Sequence, residues 1–183
     1  DGAPDAQSLP NVISDRVYTQ VAVGEDFVCA LETAGLAYCW GQNNYGQLGD
    51  GSNETSRLTP TAVSTSETFV DITASSNHVC GITGSGKLLC WGRNTVGQLG
   101  DGSTTHRNVP TEVSGALTWA SVSLAYHSSC GITTSGTLYC WGEGDSGILG
   151  VGNELDYDTP QRVESRSDWV SVYGFSANRC AAT

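Results

Sequence analysis

Apolar residues in this chain come in short runs that alternate with polar ones, and no segment sustains the 3.6-residue period of an amphipathic helix. A representative stretch opens with Phe69-Val70-Asp71-Ile72, continues with His78-Val79-Cys80-Gly81-Ile82, and turns at Gly84-Ser85-Gly86. Leu88-Leu89-Cys90-Trp91-Gly92 follows, then a Gly-rich loop, then Pro110-Thr111-Glu112-Val113. Runs of this length bounded by Gly, Ser and Asn predict four short strands joined by turns.

The stretch repeats. Pro10, Pro60, Pro110 and Pro160 recur at intervals of 50. Cys29, Cys80, Cys130 and Cys180 keep nearly the same beat, and so do the downstream Cys39, Cys90 and Cys140. Tyr18, Phe69, Trp119 and Trp169 open successive units, each followed three residues later by Val21, Ile72, Val122 or Val172. A unit of about 50 residues with four antiparallel strands matches one β-propeller blade.

Turn length fixes the hairpin register. Pairing Cys80 with Cys90 pairs Thr83 with Lys87 and leaves the three-residue loop Gly84-Ser85-Gly86, whose last glycine suits a type I turn closed by a left-handed bulge residue. Alternation then makes the two cysteines a non-hydrogen-bonded pair, where side chains stand closest. Disulfides Cys29–Cys39, Cys80–Cys90 and Cys130–Cys140 are therefore expected. Zinc ligands usually come as closely spaced knuckles, which a nine-residue gap does not supply. Three bridges imply an oxidising compartment, extracellular or at the cell surface. On the other face small Ala30, Gly81 and Gly131 oppose large Tyr38, Leu89 and Tyr139, as packing between stacked blades requires. Trp40, Trp91 and Trp141 are assigned to that inter-blade core.

Charge and composition narrow the partners. Eight Lys+Arg against 19 Asp+Glu give a net charge of −11, which opposes a phosphate backbone and argues against nucleic acid. No apolar stretch approaches the roughly 20 residues of a membrane span. His78, His106 and His127 are the only imidazoles; His78 and His127 precede phased cysteines and are assigned structural hydrogen bonds within their blades. No Gly-x-Ser-x-Gly elbow occurs, so no catalytic residue, cofactor or metal is expected. Glu143, Asp145, Glu154, Asp156 and Asp158 form a cation-free run whose oxygens are weak calcium candidates; neither an EF-hand spacing nor a repeated Asp ladder is present, and a solvated acidic loop is the favoured reading, with a contact surface for a basic partner as the alternative.

Cys80-Gly81-Ile82, Cys90-Trp91-Gly92-Arg93-Asn94 and Gly97-Gln98-Leu99-Gly100-Asp101-Gly102, closed by Pro110, resemble the regulator-of-chromosome-condensation repeat. Cys39-Trp40-Gly41-Gln42-Asn43 and Gly46-Gln47-Leu48-Gly49-Asp50-Gly51 match it again, whereas the third repeat departs at Gly147-Ile148-Leu149-Gly150-Val151-Gly152. The resemblance covers essentially the whole chain and implies a seven-bladed propeller. It leaves activity open, because the family includes a nuclear exchange factor, secreted enzyme inhibitors and many scaffolds. The cysteines and acidic balance place this chain nearest the secreted branch.

The expected layout is one all-β propeller domain: residues 1–22 the tail of a preceding repeat, 23–74, 75–122 and 123–172 three full repeats, and 173–183 the start of another. Cys180 is unpaired in this stretch, its mate falling near position 190, so a longer chain or further chains are expected to complete the ring. Asn53-Glu54-Thr55 is a glycosylation sequon in the first Gly-rich loop. The expected function is a non-enzymatic extracellular recognition or scaffold module that binds a protein or glycan through its loops. A structural subunit of an extracellular polymer or homo-oligomer is the alternative. A carbohydrate-active enzyme, which would need a carboxylate pair converging near the propeller axis, ranks third.

Overall fold

The computed structural model describes residues 16–53, 56–175 and 178–182, in which every regular element except one short turn of 3-10 helix is a strand. The first sheet holds β1 (Tyr18–Val23), β2 (Phe27–Glu32), β3 (Ala37–Gln42) and β4 (Ser56–Ala62). The second holds β5 (Phe69–Ala74), β6 (His78–Thr83), β7 (Leu88–Gly92) and β8 (Arg107–Glu112). The third holds β9 (Trp119–Leu124), β10 (Ser128–Thr133), β11 (Leu138–Gly142) and β12 (Tyr157–Arg162), and β13 (Ser171–Phe175) pairs with β14 (Asn178–Ala182). Each sheet is an antiparallel meander in chain order, and the first strands β1, β5, β9 and β13 pack side by side in succession. This is the all-β blade architecture, with the first strand of each blade innermost. A repeat counted from 23 to 74 thus holds the last three strands of one sheet and the first strand of the next.

The hairpins carry the register Cys29↔Cys39, Cys80↔Cys90 and Cys130↔Cys140. Thr83 N donates to Lys87 O at 2.9 Å, and Gly86 takes φ +82° as the bulge residue. Bridges link Cys29–Cys39, Cys80–Cys90 and Cys130–Cys140, each with Cα atoms 4.1 Å apart, the close spacing of a non-hydrogen-bonded pair. Cys180 lies on β14 opposite Tyr173; its side chain is outside the described residues, as are residues 1–15.

Apolar packing lies between sheets. Cys29, Cys39 and Leu31 of the first blade share a cluster with Phe69, Ile72, Val79 and Trp91 of the second. Cys80, Cys90 and Ile82 share the next with Trp119, Val122 and Trp141 of the third. Trp91 and Trp141 are fully buried; Trp40 is only half-buried and leans on Tyr18, ring centroids 6.4 Å apart. Burying a Phe-sized side chain contributes roughly 1.5–3 kcal/mol, so these layers hold the blades together. The small residues have a more local reason than blade spacing. A Cβ on Gly81 would come 2.5 Å from the Phe69 ring, and one on Gly131 2.6 Å from Trp119. Each glycine makes room for the opening aromatic of its own sheet, which then lies against the tryptophan of that sheet.

Candidate functional site

Strand direction sorts the connections into two faces. The turns after β1, β5 and β9 and the long loops after β3, β7 and β11 gather at one end of the blades; the three-residue turns and blade-to-blade crossovers gather at the other. The long-loop face is built from the Gly-rich repeat motif. In the first blade the Asp50 carboxylate accepts from Ser52 N (3.0 Å), Ser52 Oγ (2.8 Å), Asn43 Nδ2 (3.3 Å) and Arg57 Nε (2.7 Å). Asn43 Oδ1 accepts from Leu48 N, and Gln47 Oε1 from Tyr45 N. Asn94, Gln98, Asp101, Ser103 and Arg107 repeat this network in the second blade, with Arg107 Nε 2.6 Å from Asp101 Oδ2. Burial pushes the Asp50 carboxyl up, but hydrogen bonds from Ser52 and Arg57 outweigh it and hold the group below its ordinary value.

The clamped loop then reaches the next blade. Trp91 Nε1 donates to Gln47 O and Trp141 Nε1 to Gln98 O, both at 3.0 Å. Gly49 and Gly100 lie against those indoles so closely that a Cβ would fall within 2.7 Å. A second link corrects the expectation for His78, since its Nε2 bonds outside its own blade, 3.1 Å from Ser129 Oγ. Ser129 gives its hydroxyl proton to Gln98 O at 2.7 Å, so His78 is the donor and carries its proton on Nε2. His127 does stay within its blade, Nδ1 3.2 Å from Glu143 Oε1. His106 Nδ1 accepts from Asn94 N at 3.0 Å, and its ring meets Tyr45 of the preceding blade edge-on at 5.2 Å. Burial and the neighbouring Arg93 charge hold His106 below its ordinary value.

The third loop keeps the shape with different chemistry. Gly144, Ile148, Val151 and Tyr157 replace Asn94, Gln98, Asp101 and Arg107, and Asp156 Oδ1 accepts from Gly144 N at 2.8 Å where His106 accepts from Asn94 N. Ile148, Leu149, Val151 and Tyr157 pack toward Cys130 and Cys140. Asp145, Glu154, Asp156 and Asp158 are exposed and Glu143 is half-buried beside His127. Among the described residues no three acidic, His or Cys side chains come together as a cation site. Asn53 is exposed in the first loop; Glu54 and Thr55 of its sequon are outside the described residues.

Along the axis, the inner strands line a concavity of about 480 Å³ that includes Gln20, Asp71, Val122, Ser123, Val172 and Tyr173. Asp71 is the one carboxylate among its lining residues, and it accepts from Gln20 Nε2 at 2.7 Å. The same amide clasps Ile72 through both backbone groups. Among the described residues no carboxylate pair for glycoside hydrolysis is assembled there.

The regulator of chromosome condensation repeat matches residues 34–82, 85–132 and 135–174. The chain belongs to this family. Among curated relatives, the probable E3 ubiquitin-protein ligase HERC4 of Homo sapiens is 39% identical over 90 residues, 48% of this chain and 8% of that protein. Among solved structures, Prp20p of Saccharomyces cerevisiae superposes with a TM-score of 0.78 at 22% identity, over 87% of this chain and 42% of that one. Human WBSCR16 superposes at 0.79 and 21% identity, over 90% and 44%. The chain thus spans less than half the length of these relatives, and the structural likeness carries the propeller fold. Within the family repeat, the residues the motif names are those turned inward to clamp loops and blades. The outward residues at the loop tips, Glu25 and Tyr126 among them, belong to no motif; their signal is a difference in residue type at equivalent positions of successive repeats.

Proposed function

We propose that this propeller is a non-enzymatic protein-recognition module acting through its long-loop face in an oxidising, extracellular setting. One observation carries the reading. Positions that build the loops are the same in the first two repeats, whereas positions at their tips, all exposed except the half-buried Ser76, differ: Glu25, Ser76 and Tyr126; Asn44, Thr95 and Asp145; Asn53, Thr104 and Glu154. A rigid frame with varied tips is the arrangement in which specificity is set by loops. The opposite face carries only small Thr, Ala, Gly and Ser in its turns at 33–35, 84–86 and 134–136. Buried Trp91 and Trp141 offer no stacking platform to a sugar, which favours a protein partner over a glycan. The acidic tips favour a basic surface on that partner. Three disulfides support the oxidising setting, and an exposed Asn53 suits a glycan-bearing loop. The ligase named in the HERC relatives is not carried over, since the matched stretch is 8% of that protein.

Photo-crosslinking tests the face. A benzophenone side chain placed at Asn44, Thr95 or Asp145 is expected to capture a discrete protein from the medium of the source cells, and one at Ala34, Ser85 or Ser135 is not. Adducts formed only from the short-turn positions would overturn the reading.

A further inference from the structure

We propose that the rim of the axis on the long-loop face holds a receptor for a single arginine side chain of the protein partner. The cleft, about 260 Å³, is lined by Val23, Gly24, Glu25, Ser75, Ser76 and Tyr126, so the corresponding turns of three successive blades each supply part of it. Glu25, Ser76 and Tyr126 occupy equivalent positions. The turn itself is kept in every blade by the same bond, Gly24 N to Phe27 O, Ser75 N to His78 O and Ala125 N to Ser128 O, each 2.9 to 3.0 Å. The fold therefore accepts any of three residue types at the tip, and packing does not dictate the carboxylate or the phenol.

The turns are tied to one another before any ligand arrives. Glu25 N donates to Ser76 O at 3.1 Å, and Ser75 Oγ to Ala125 O at 2.6 Å. Tyr126 is 43% exposed, and its ring is steadied by the His127 imidazole at 4.4 Å, itself held by Glu143. Val23, 64% exposed, supplies an apolar wall. Glu25 is exposed, with the Ser76 hydroxyl 3.3 Å from Oε2 and no cation paired with it among the described residues. A carboxylate without a cationic partner among the described residues, an aromatic face and an aliphatic wall lining one cleft match the guanidinium and methylenes of arginine: the fork bonds the carboxylate while the plane stacks on the ring. Lysine would gain the charge term without the fork or the stack.

This inference rests on the protein-recognition reading and has its own test. N-acetyl-arginine amide, the lysine analogue and the uncharged citrulline analogue are titrated into the isotope-labelled protein and followed by NMR. Saturable shifts at Val23, Glu25 and Tyr126 are expected with arginine, weaker ones with lysine, and none with citrulline. Glu25→Gln should weaken arginine binding by about tenfold or more, Tyr126→Leu by roughly threefold, and Tyr126→Phe should retain it. Equal binding of citrulline, indifference to Glu25→Gln, or shifts confined to Asp145, Glu154 and Asp156 would overturn the receptor. The crosslinks from Thr95 and Asp145 would survive that result, so the two readings fail separately.

Discussion

Asp50 and Asp101 show how a single side chain can organise a loop of a dozen residues. Each carboxylate is almost sealed from water, 2% and 1% exposed, while its arginine partner keeps part of its surface wet. Asp50→Asn keeps an oxygen for Ser52 N and Asn43 Nδ2 but turns an amide N–H toward Arg57 Nε in place of its acceptor, so with Arg57 recovering solvent the variant is expected to cost about 1.5–3 kcal/mol in urea unfolding. The sign of the pH effect follows from the lowered native value. Near and below its ordinary 3.8 the unfolded chain takes up a proton more readily than the native one, so stability from Asp50 is fully present above that pH and is lost as pH falls from it through the lower native value. The acid limb of the stability curve should flatten in the Asp50→Asn variant. His106 acts at milder pH. Its native value lies below 6.5, so its contribution is present above 6.5 and lost as pH falls beneath, when a proton on Nδ1 displaces the Asn94 N–H. Asp156 performs the same acceptor role in the third loop without an imidazole. The wild type is therefore expected to lose thermal stability between about pH 7 and 5, and His106→Asp to remove that slope in thermal melts.

At the scale of the hairpin, much was legible from the chain. Cysteine spacing and a three-residue turn ending in glycine determine the pairing to the residue, because a two-residue period leaves one register that brings the sulfurs together. Other features were not legible. The strand that holds Pro110 begins at Arg107, three residues earlier than the apolar pattern indicates, since Arg107 is drawn into the sheet by Asp101 rather than by burial. His78 and the indole nitrogens find partners some 40 to 50 residues away on another blade, contacts that no local pattern encodes. The Gly81 and Phe69 fit likewise depends on which strand lies beside which. Each bridge closes a short loop in a hairpin already fixed by its turn. Replacing Cys80 and Cys90 together by Ala should therefore cost about 2–3 kcal/mol, with loss of the packing against Trp119 included. Chemical unfolding of the double variant measures it, and an unchanged midpoint would mean that blade stacking alone sets the stability.

Across the molecule, stability resides in the junctions between blades, and two successive junctions solve the same packing problem with different chemistry. Between the first and second blades the site is apolar, Phe27 and Val79 sharing one cluster. Between the second and third, the equivalent positions are His78 and Ser129, both buried and joined through to Gln98 O. The indole anchor is the same at both, Trp91 to Gln47 O and Trp141 to Gln98 O, so the frame around the exchanged pair is already shown to fit either solution. His78→Phe alone removes the donor to Ser129 and crowds a site shaped for imidazole, at about 1–3 kcal/mol. Ser129→Val alone strands the buried His78 Nε2–H, at about 1–3 kcal/mol. Changing both transplants the upstream junction, with no polar group left waiting. The double variant should lie nearer the wild type than either single one, giving a favourable coupling of about 1–3 kcal/mol in a double-mutant cycle. Additive losses would show that the polar junction is not interchangeable with the apolar one, and that the repeats differ in blade spacing as well as in chemistry.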